Sequence, residues 1–384
     1  MPNKTESSAS TLAGATGSVS AQGFVQPRAV EELSDKRKEF NNFDFLRFAA
    51  ATLVILHHSY ALLAKPEPLY AFITSVISFG DFAVAVFFVI SGFLITASFE
   101  RCRAVVPFLS SRFLRMWPAL IATCCFAVFL IGPLNTKWNI FDYFRSPLTW
   151  SYFKNLGLID LQWALPGVFM NNPFKVAVNG SLWTLPIEVS MYVVTLCLGL
   201  LGIYRFRYGV LALFALVLVL QMRLLNEPHA AEITFKLFPF WLGETRFSTL
   251  YLGGAVLFLF RDVCKFNWKL ASICLLLFAG SFATPVFKLV MFLTLPYLVL
   301  YAAFAVIPYL NKFGRFGDFS YGLYVYAFPV QQTIVNYTGG HLSVFRFFCL
   351  SFVITLALAV LSYHLLERPC LNLKSRFRKR TIAI

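Results

Sequence analysis

Ten long apolar runs dominate this chain and fix what it can become. They occupy residues 43–64, 77–98, 117–134, 181–203, 207–223, 238–260, 268–286, 287–309, 318–338 and 345–367, close to the ~20 residues a helix needs to cross a bilayer. In lipid a backbone must satisfy its own N–H and C=O groups, and a helix does so within one segment. The expected fold is therefore all-α, a polytopic integral membrane protein with about ten transmembrane helices. Composition agrees: 58% of the 384 residues are hydrophobic and 13% charged, with 44 Phe and a mean hydropathy of +0.69, far from a soluble domain. A net charge of +15 would suit nucleic acid, but the Lys and Arg residues sit in short loops and tails, so no nucleic-acid partner is expected. Their bias toward one side places both termini in the cytosol.

Residues 1–40 are rich in Ser, Thr, Ala and Gly and read as a disordered cytosolic tail that cannot bury enough surface to offset its ordering entropy. No apolar stretch follows a short basic start, so the first run must act as the targeting signal. Within the tail, residues 28–40 have helical composition and could lie on the inner membrane face. Residues 41–369 form the membrane domain and 370–384 a basic cytosolic tail. The eight cysteines contain no CxxC, so neither a metal site nor a disulfide framework is expected.

The informative residues are the ionisable ones that a bilayer tolerates poorly. In NFDFLRFAAATLVILHHSY, Arg47 and His58 are eleven apart, which puts them on nearly one helical face and roughly 16 Å apart along the axis. His57 points elsewhere, and Asp44, three residues before Arg47, can pair with it. The second run holds Asp81 and a Ser91-Gly92 pair, most simply a close helix contact. Next comes RFLRMWP, where Arg112 and Arg115 at i and i+3 make a forked anion site suited to phosphate; an anchor at the headgroup level explains them too. Residues 135–180 form a long aromatic loop, of a length that is usually functional. In NGSLWTLPIEVSMYVV, Glu188 lies in the fourth run with Tyr192 one turn later and Trp183 before it. A carboxylate that orients a neutral imidazole makes a general base, so Glu188 is the expected partner of His58. Ser320, Tyr321, Tyr324, Gln331 and Gln332 place polar groups along the ninth run, lining a cavity or packing between helices. His229 and His341 are expected in outer loops, and His364 in a polar cluster with Glu367 and Arg368.

LRFAAATLVILHH, FFVISGFLI, RFLRMWP, SLWTLPIEVSMY, FGDFSYGLYVYAFPVQQ and LLERP, in that order from about residue 43 to 369, resemble the acyltransferase 3 family of membrane O-acyltransferases. The resemblance implies a bacterial inner-membrane enzyme that moves an acyl group, commonly acetyl, from cytosolic acyl-CoA to a hydroxyl of a surface glycan such as an exopolysaccharide or O-antigen. It matches Arg47 and His58 to a signature pair, Arg112 and Arg115 to an RxxR element that meets the CoA phosphates, and Glu188 to the acidic residue of the fourth span. Two departures stand out. Members often have a histidine where this chain has Ala327, and some carry a fused SGNH-type domain, which is not expected here. Such a stand-alone form must finish the transfer in the bilayer or hand over to polysaccharide-biosynthesis machinery.

The chemistry expected from these residues has the acyl-CoA phosphates at Arg112 and Arg115 and the thioester brought past Arg47 to His58. There His58 deprotonates the acceptor or briefly carries the acyl group, with Glu188 fixing its tautomer. Asp44, His57, Trp183, Tyr192, Ser320 and Tyr324 are expected as supports. A transporter of a glycan or lipid-linked intermediate would also need many spans and buried charges, yet would not need the cytosolic RxxR.

Overall fold

The computed structural model describes residues 41–72, 77–226 and 245–373, without the side chains of 72 and 224–226. The tail 1–40 with its surface segment 28–40, His229, and residues 374–384 of the basic tail lie outside the described residues. Among the described residues the protein is helical, without strands; one isolated bridge joins Thr136 and Val168.

Among the described residues, ten main helices follow the ten apolar runs. They are α1 (Phe43–Leu62), α2 (Phe79–Cys102), α3 (Val105–Phe126), α4 (Leu185–Leu200), α5 (Arg207–Asn226), α6 (Thr245–Leu259), α7 (Trp268–Gly280), α8 (Phe287–Phe304), α9 (Ser320–Thr338) and α10 (Val344–Ser362). Among the described residues, six helical stretches are long and apolar enough to cross a membrane: Phe43–Leu62, Phe79–Cys102, Val105–Asn135, Gly180–Leu200, Phe287–Phe304 and Val344–Asn372. The expectation of ten crossings thus meets that measure in six; α6 and α7 are apolar but short, and α5 and α9 fall outside it.

α2 is the buried centre. It opens on a capping box in which Ser78 and Asp81 bond each other's backbone N–H groups, and it ends at Arg103 in a left-handed conformation (φ 44°). It packs tightly against α6 because two glycines allow it. A Cβ on Gly92 would sit 2.7 Å from the Tyr251 carbonyl carbon, and one on Gly254 would sit 3.0 Å from Phe93 N. The Ser91-Gly92 pair therefore serves close helix approach.

One expectation is corrected at α3. The third apolar run, 117–134, opens at Trp117 and would leave Arg112 and Arg115 ahead of the span. Instead a single helix runs through them, with Pro118 inside it, and continues as a π-turn (Ala127–Ile131) to Asn135. Both arginines therefore project from the body of a spanning helix.

Residues 135–179 are not structureless. Short helices (Ile140–Arg145, Pro147–Ser151) and a 3₁₀ turn (Tyr152–Gly157) fold the segment back on the bundle. Tyr143 and Tyr152 are fully buried, and the Tyr143 hydroxyl donates to Val128 O at 2.9 Å. Amides from α9 hold the rest of the segment. Gln332 Nε2 donates to the carbonyls of Phe174 (2.8 Å) and Ala177 (2.9 Å), and receives Asn172 Nδ2 on its own Oε1 at 2.7 Å. Gln331 Nε2 donates to Ile55 O (2.9 Å) and Ser59 Oγ (3.0 Å) of α1. These amides pack helices and pin the loop, the second of the two readings the sequence allowed.

His341 is exposed in a loop; His364 is exposed in the π-turn Tyr363–Glu367 that continues α10, with its ring against Tyr363 and Phe319. The polar cluster expected around His364 does not form, because Glu367 turns inward and accepts from Ser362 at 3.1 Å.

Candidate active site

α1 and α9 run side by side in the same direction, and Arg47 and His58 of α1 lie along their shared length. At the end where both begin, three helices meet on one carboxylate. Asp318, just before α9, lies 2.5 Å from Arg115 of α3 and 3.4 Å from Arg47 of α1. Arg47 also pairs with Asp44 along its own helix, as its spacing requires. Ser320 completes the group by donating to Asp318 at 2.5 Å. Burial opposes charge on Asp318, but Arg47 and Arg115 outweigh it and hold the carboxyl well below the ordinary carboxylate range. The Nε of Arg47 remains buried without a partner.

Arg112 lies one turn from Arg115 and is treated differently. Its guanidinium meets hydroxyls, Ser111 at 3.2 Å and Ser98 at 3.5 Å, and the face of Tyr192 at 5.9 Å. It makes no ion pair among the described residues. Such a cation, partly buried and contacting only neutral groups, is ready to take an anion from outside.

Between the two ends lies Glu188, in the first turn of α4 behind Pro186. It accepts a hydrogen bond from Tyr192, whose ring carries Arg112. The expected pairing of Glu188 with His58 is not formed: no hydrogen bond or ion pair joins them. The physical reason is depth. Rotation along a helix places a residue on a face, but the level at which two helices meet is set by packing, and packing puts Glu188 with the arginines. The Tyr324 hydroxyl of α9 hydrogen-bonds the Thr184 hydroxyl at 2.6 Å, just before Glu188 on the chain's path into α4. Trp183 stands aside from this column, with Phe247 at 5.7 Å and Arg246 over its ring at 5.9 Å. Arg246 in turn pairs with Asp81 at 3.0 Å.

His58 lies near the far end of α1. Its ring meets Phe328 of α9 edge-on at 5.0 Å, and Phe328 is covered by Phe174 of the long loop at 5.8 Å. Its Nδ1 is buried with no partner. The carboxylate sought for it belongs to its neighbour: His57 Nδ1 lies 2.5 Å from Glu67, and the two imidazoles are 5.5 Å apart.

Helix geometry relates the two ends. Arg47 and His58 are eleven residues apart, and Asp318 and Phe328 ten, so both helices separate the guanidinium cluster from the imidazole by about 15 Å. The structure thus gathers Asp44, Arg47, Arg112, Arg115, Glu188, Tyr192 and Ser320 toward one end, and His57 and His58 at the other. Asp318 and Glu67 were missed as functional candidates. Asp318 stood inside the quoted stretch FGDFSYG and was passed over; Glu67, in the loop motif KPEP, carried no sequence signal that would single it out.

No solved structure matches the chain. It is 29% identical over 339 residues to an O-acetyl transferase of Shigella phage Sf6, covering 87% of this chain and 97% of that protein. It is 30% identical over 375 residues to nodulation protein 10 of Rhizobium leguminosarum bv. viciae, covering 90% and 96%. The family model described as an acyltransferase domain matches residues 40–364, nearly the whole described bundle. With the motifs from LRFAAATLVILHH to LLERP in order on that bundle, this chain belongs to the acyltransferase 3 family of membrane proteins.

Proposed function

We propose that this chain is an O-acetyltransferase that takes the acetyl group of acetyl-CoA on the cytosolic side of a bacterial inner membrane and delivers it to a hydroxyl of a surface polysaccharide or its lipid-linked precursor. Both termini are then cytosolic, and the end where α1 and α9 begin is the inner one. The observation that carries this reading is the arrangement along α1 and α9: a cation with only neutral contacts near one end, and about 15 Å further an imidazole with an unpartnered buried nitrogen. A CoA thioester has this same layout, with phosphates at one end, a long flexible arm, and a reactive carbonyl at the other.

In this reading Arg112 takes the donor's phosphates, with Tyr192 and Glu188 behind it. Arg115, Asp318 and Arg47 form the clasp that sets its position, and the unpartnered Arg47 Nε faces the path of the arm. His58 meets the thioester carbonyl. A histidine without a carboxylate partner is free to use either ring nitrogen on an acyl carbon. The acetyl donor is supported by the name of the phage relative, an O-acetyl transferase.

The test compares surface polysaccharide from wild-type cells, a deletion strain, and the deletion strain carrying His58→Ala, by mass and NMR analysis of O-acetyl groups. Loss in the deletion that persists with His58→Ala, while that variant accumulates in the membrane, supports the enzyme reading and the role of His58. Equal acetylation in all three overturns it.

A further inference from the structure

Two adjacent histidines sit near the outer end of α1, and only one of them has a carboxylate. His57 Nδ1 lies 2.5 Å from Glu67 Oε2, with side chains 29% and 7% exposed respectively. The other oxygen of Glu67 accepts the backbone N–H of Phe79, the first residue of α2. That helix start, with its free N–H groups and positive dipole end, holds the carboxylate in place from behind. The ring is fixed on its other side as well. It packs against Gly80, where a Cβ would come within 2.6 Å of Cδ2, 2.8 Å of Cγ and 3.0 Å of Nε2. A loop carboxylate, a helix start and a glycine thus fix one imidazole, and among the described residues no partner is bonded to its Nε2.

This is the construction that the neighbouring His58 lacks. A carboxylate accepting from Nδ1–H fixes the tautomer in which Nε2 holds the lone pair, and steadies the imidazolium that forms when Nε2 takes a proton. Resting on the acyltransferase reading above, we propose that His57 is the general base that deprotonates the acceptor hydroxyl, with Glu67 as its positioning residue, and that His58 is left to deal with the acyl group. The 5.5 Å between the rings allows an acyl carbon in reach of His58 and a hydroxyl in reach of His57 to touch. In the step, the acceptor oxygen bonds to the acyl carbon while its proton passes to His57 Nε2. The bond from that carbon to its carrier, the CoA sulfur or a His58 nitrogen, breaks, and the electron pair leaves with the carrier. His57 then gives its proton to water or to the departing thiolate, restoring the neutral ring.

The experiment uses permeabilised membranes with the full-length chain, radiolabelled acetyl-CoA, and the cells' own polysaccharide as acceptor. Label in the polysaccharide and donor bound to the membranes are measured separately for wild type, His57→Ala, Glu67→Gln and Gly80→Ala. His57→Ala is expected to keep donor binding and lose transfer by about a hundredfold or more, the range of a lost general base. Added imidazole should restore part of that loss, which a packing defect would not allow. Glu67→Gln keeps the shape and removes the charge, and Gly80→Ala displaces the ring; both should lower transfer by less, with donor binding intact. If His57→Ala transfers like wild type, or loses donor binding together with transfer, or is not rescued by imidazole, the base assignment is overturned while the acyltransferase reading stands. Should His57→Ala not accumulate, unchanged transfer by Glu67→Gln overturns it equally, and lowered transfer with intact donor binding supports it. No label from wild type at all removes the acyltransferase reading, and the proposal with it.

Discussion

The two ends of the α1–α9 pair are built from similar side chains used in opposite ways. At the end where both helices begin, one carboxylate, Asp318, is shared by guanidiniums from two other helices, so charge is neutralised by contacts that tie α1, α3 and the start of α9 together. At the opposite end two imidazoles stand side by side and only one is paired, with a carboxylate from the loop that follows its own helix. The first end uses its charges to hold helices, and Arg112 is left there without an ion pair among the described residues. The second end holds little together, and His58 Nδ1 stays without a partner. One end is therefore expected to report on stability and donor affinity, the other on the chemical step.

The sharpest way to break this contrast is at Asp318. Asp318→Asn leaves two arginines without their shared partner, and removing one side of a buried pair costs about 3–5 kcal/mol. Thermal unfolding of the purified protein in detergent should show that loss, and membrane accumulation should fall. Asp318 is held below its usual value of 3.8, so its contribution is complete above that pH and disappears as the pH drops from there through the depressed native value. The gap between wild type and Asp318→Asn should therefore stay constant over about pH 5 to 8. A gap that closes within that window would mean the clasp is not as drawn.

Arg112→Ala should do something different. It removes a charge-assisted contact to the donor, worth about 1.5–3 kcal/mol, and so raises KM for acetyl-CoA by roughly ten- to a hundredfold with kcat nearly unchanged. Arg115→Ala should resemble Asp318→Asn instead, with lost stability as its main effect. If the two arginines behave alike in KM and in unfolding, the division between clasp and ligand site fails.

The smallest effect is expected at Glu188, which reaches the arginine end through Tyr192. Its hydrogen bond from Tyr192 supports the Arg112 side, so Glu188→Gln and Tyr192→Phe should each cost about 0.5–1.5 kcal/mol, roughly tenfold at most, and mainly in KM. A loss in kcat as deep as that of His58→Ala would return Glu188 to the role the sequence suggested for it.

How far the sequence reached follows from what sets each feature. The helices were legible because bilayer thickness imposes a run length that composition displays directly. Arg47 with Asp44, and Arg112 with Arg115, were legible as pairs because helical periodicity relates neighbours within one element. Asp318 and Glu67 were not, since each acts on a residue of another segment, and their short polar surroundings look like any loop. The pairing of Glu188 with His58 went wrong for the same reason: both are intramembrane, but nothing in a sequence gives the height at which two helices cross. The break expected at Trp117-Pro118 failed because a proline inside a bundle does not have to end a helix when neighbours compensate for the lost bond. Even the loop 135–179, legible as long and aromatic, hid that α9 amides would hold it.

Arg47 lies in α1, and Asp318 lies just before α9, far later in the chain. Asp44, three residues from Arg47, is a counter-charge within the same helix, so Arg47 has one partner that needs no other segment in place. Arg115 has no such local partner among the described residues and pairs with Asp318 alone. The clasp therefore joins one guanidinium neutralised within its own helix to another that is neutralised only when α9 is docked.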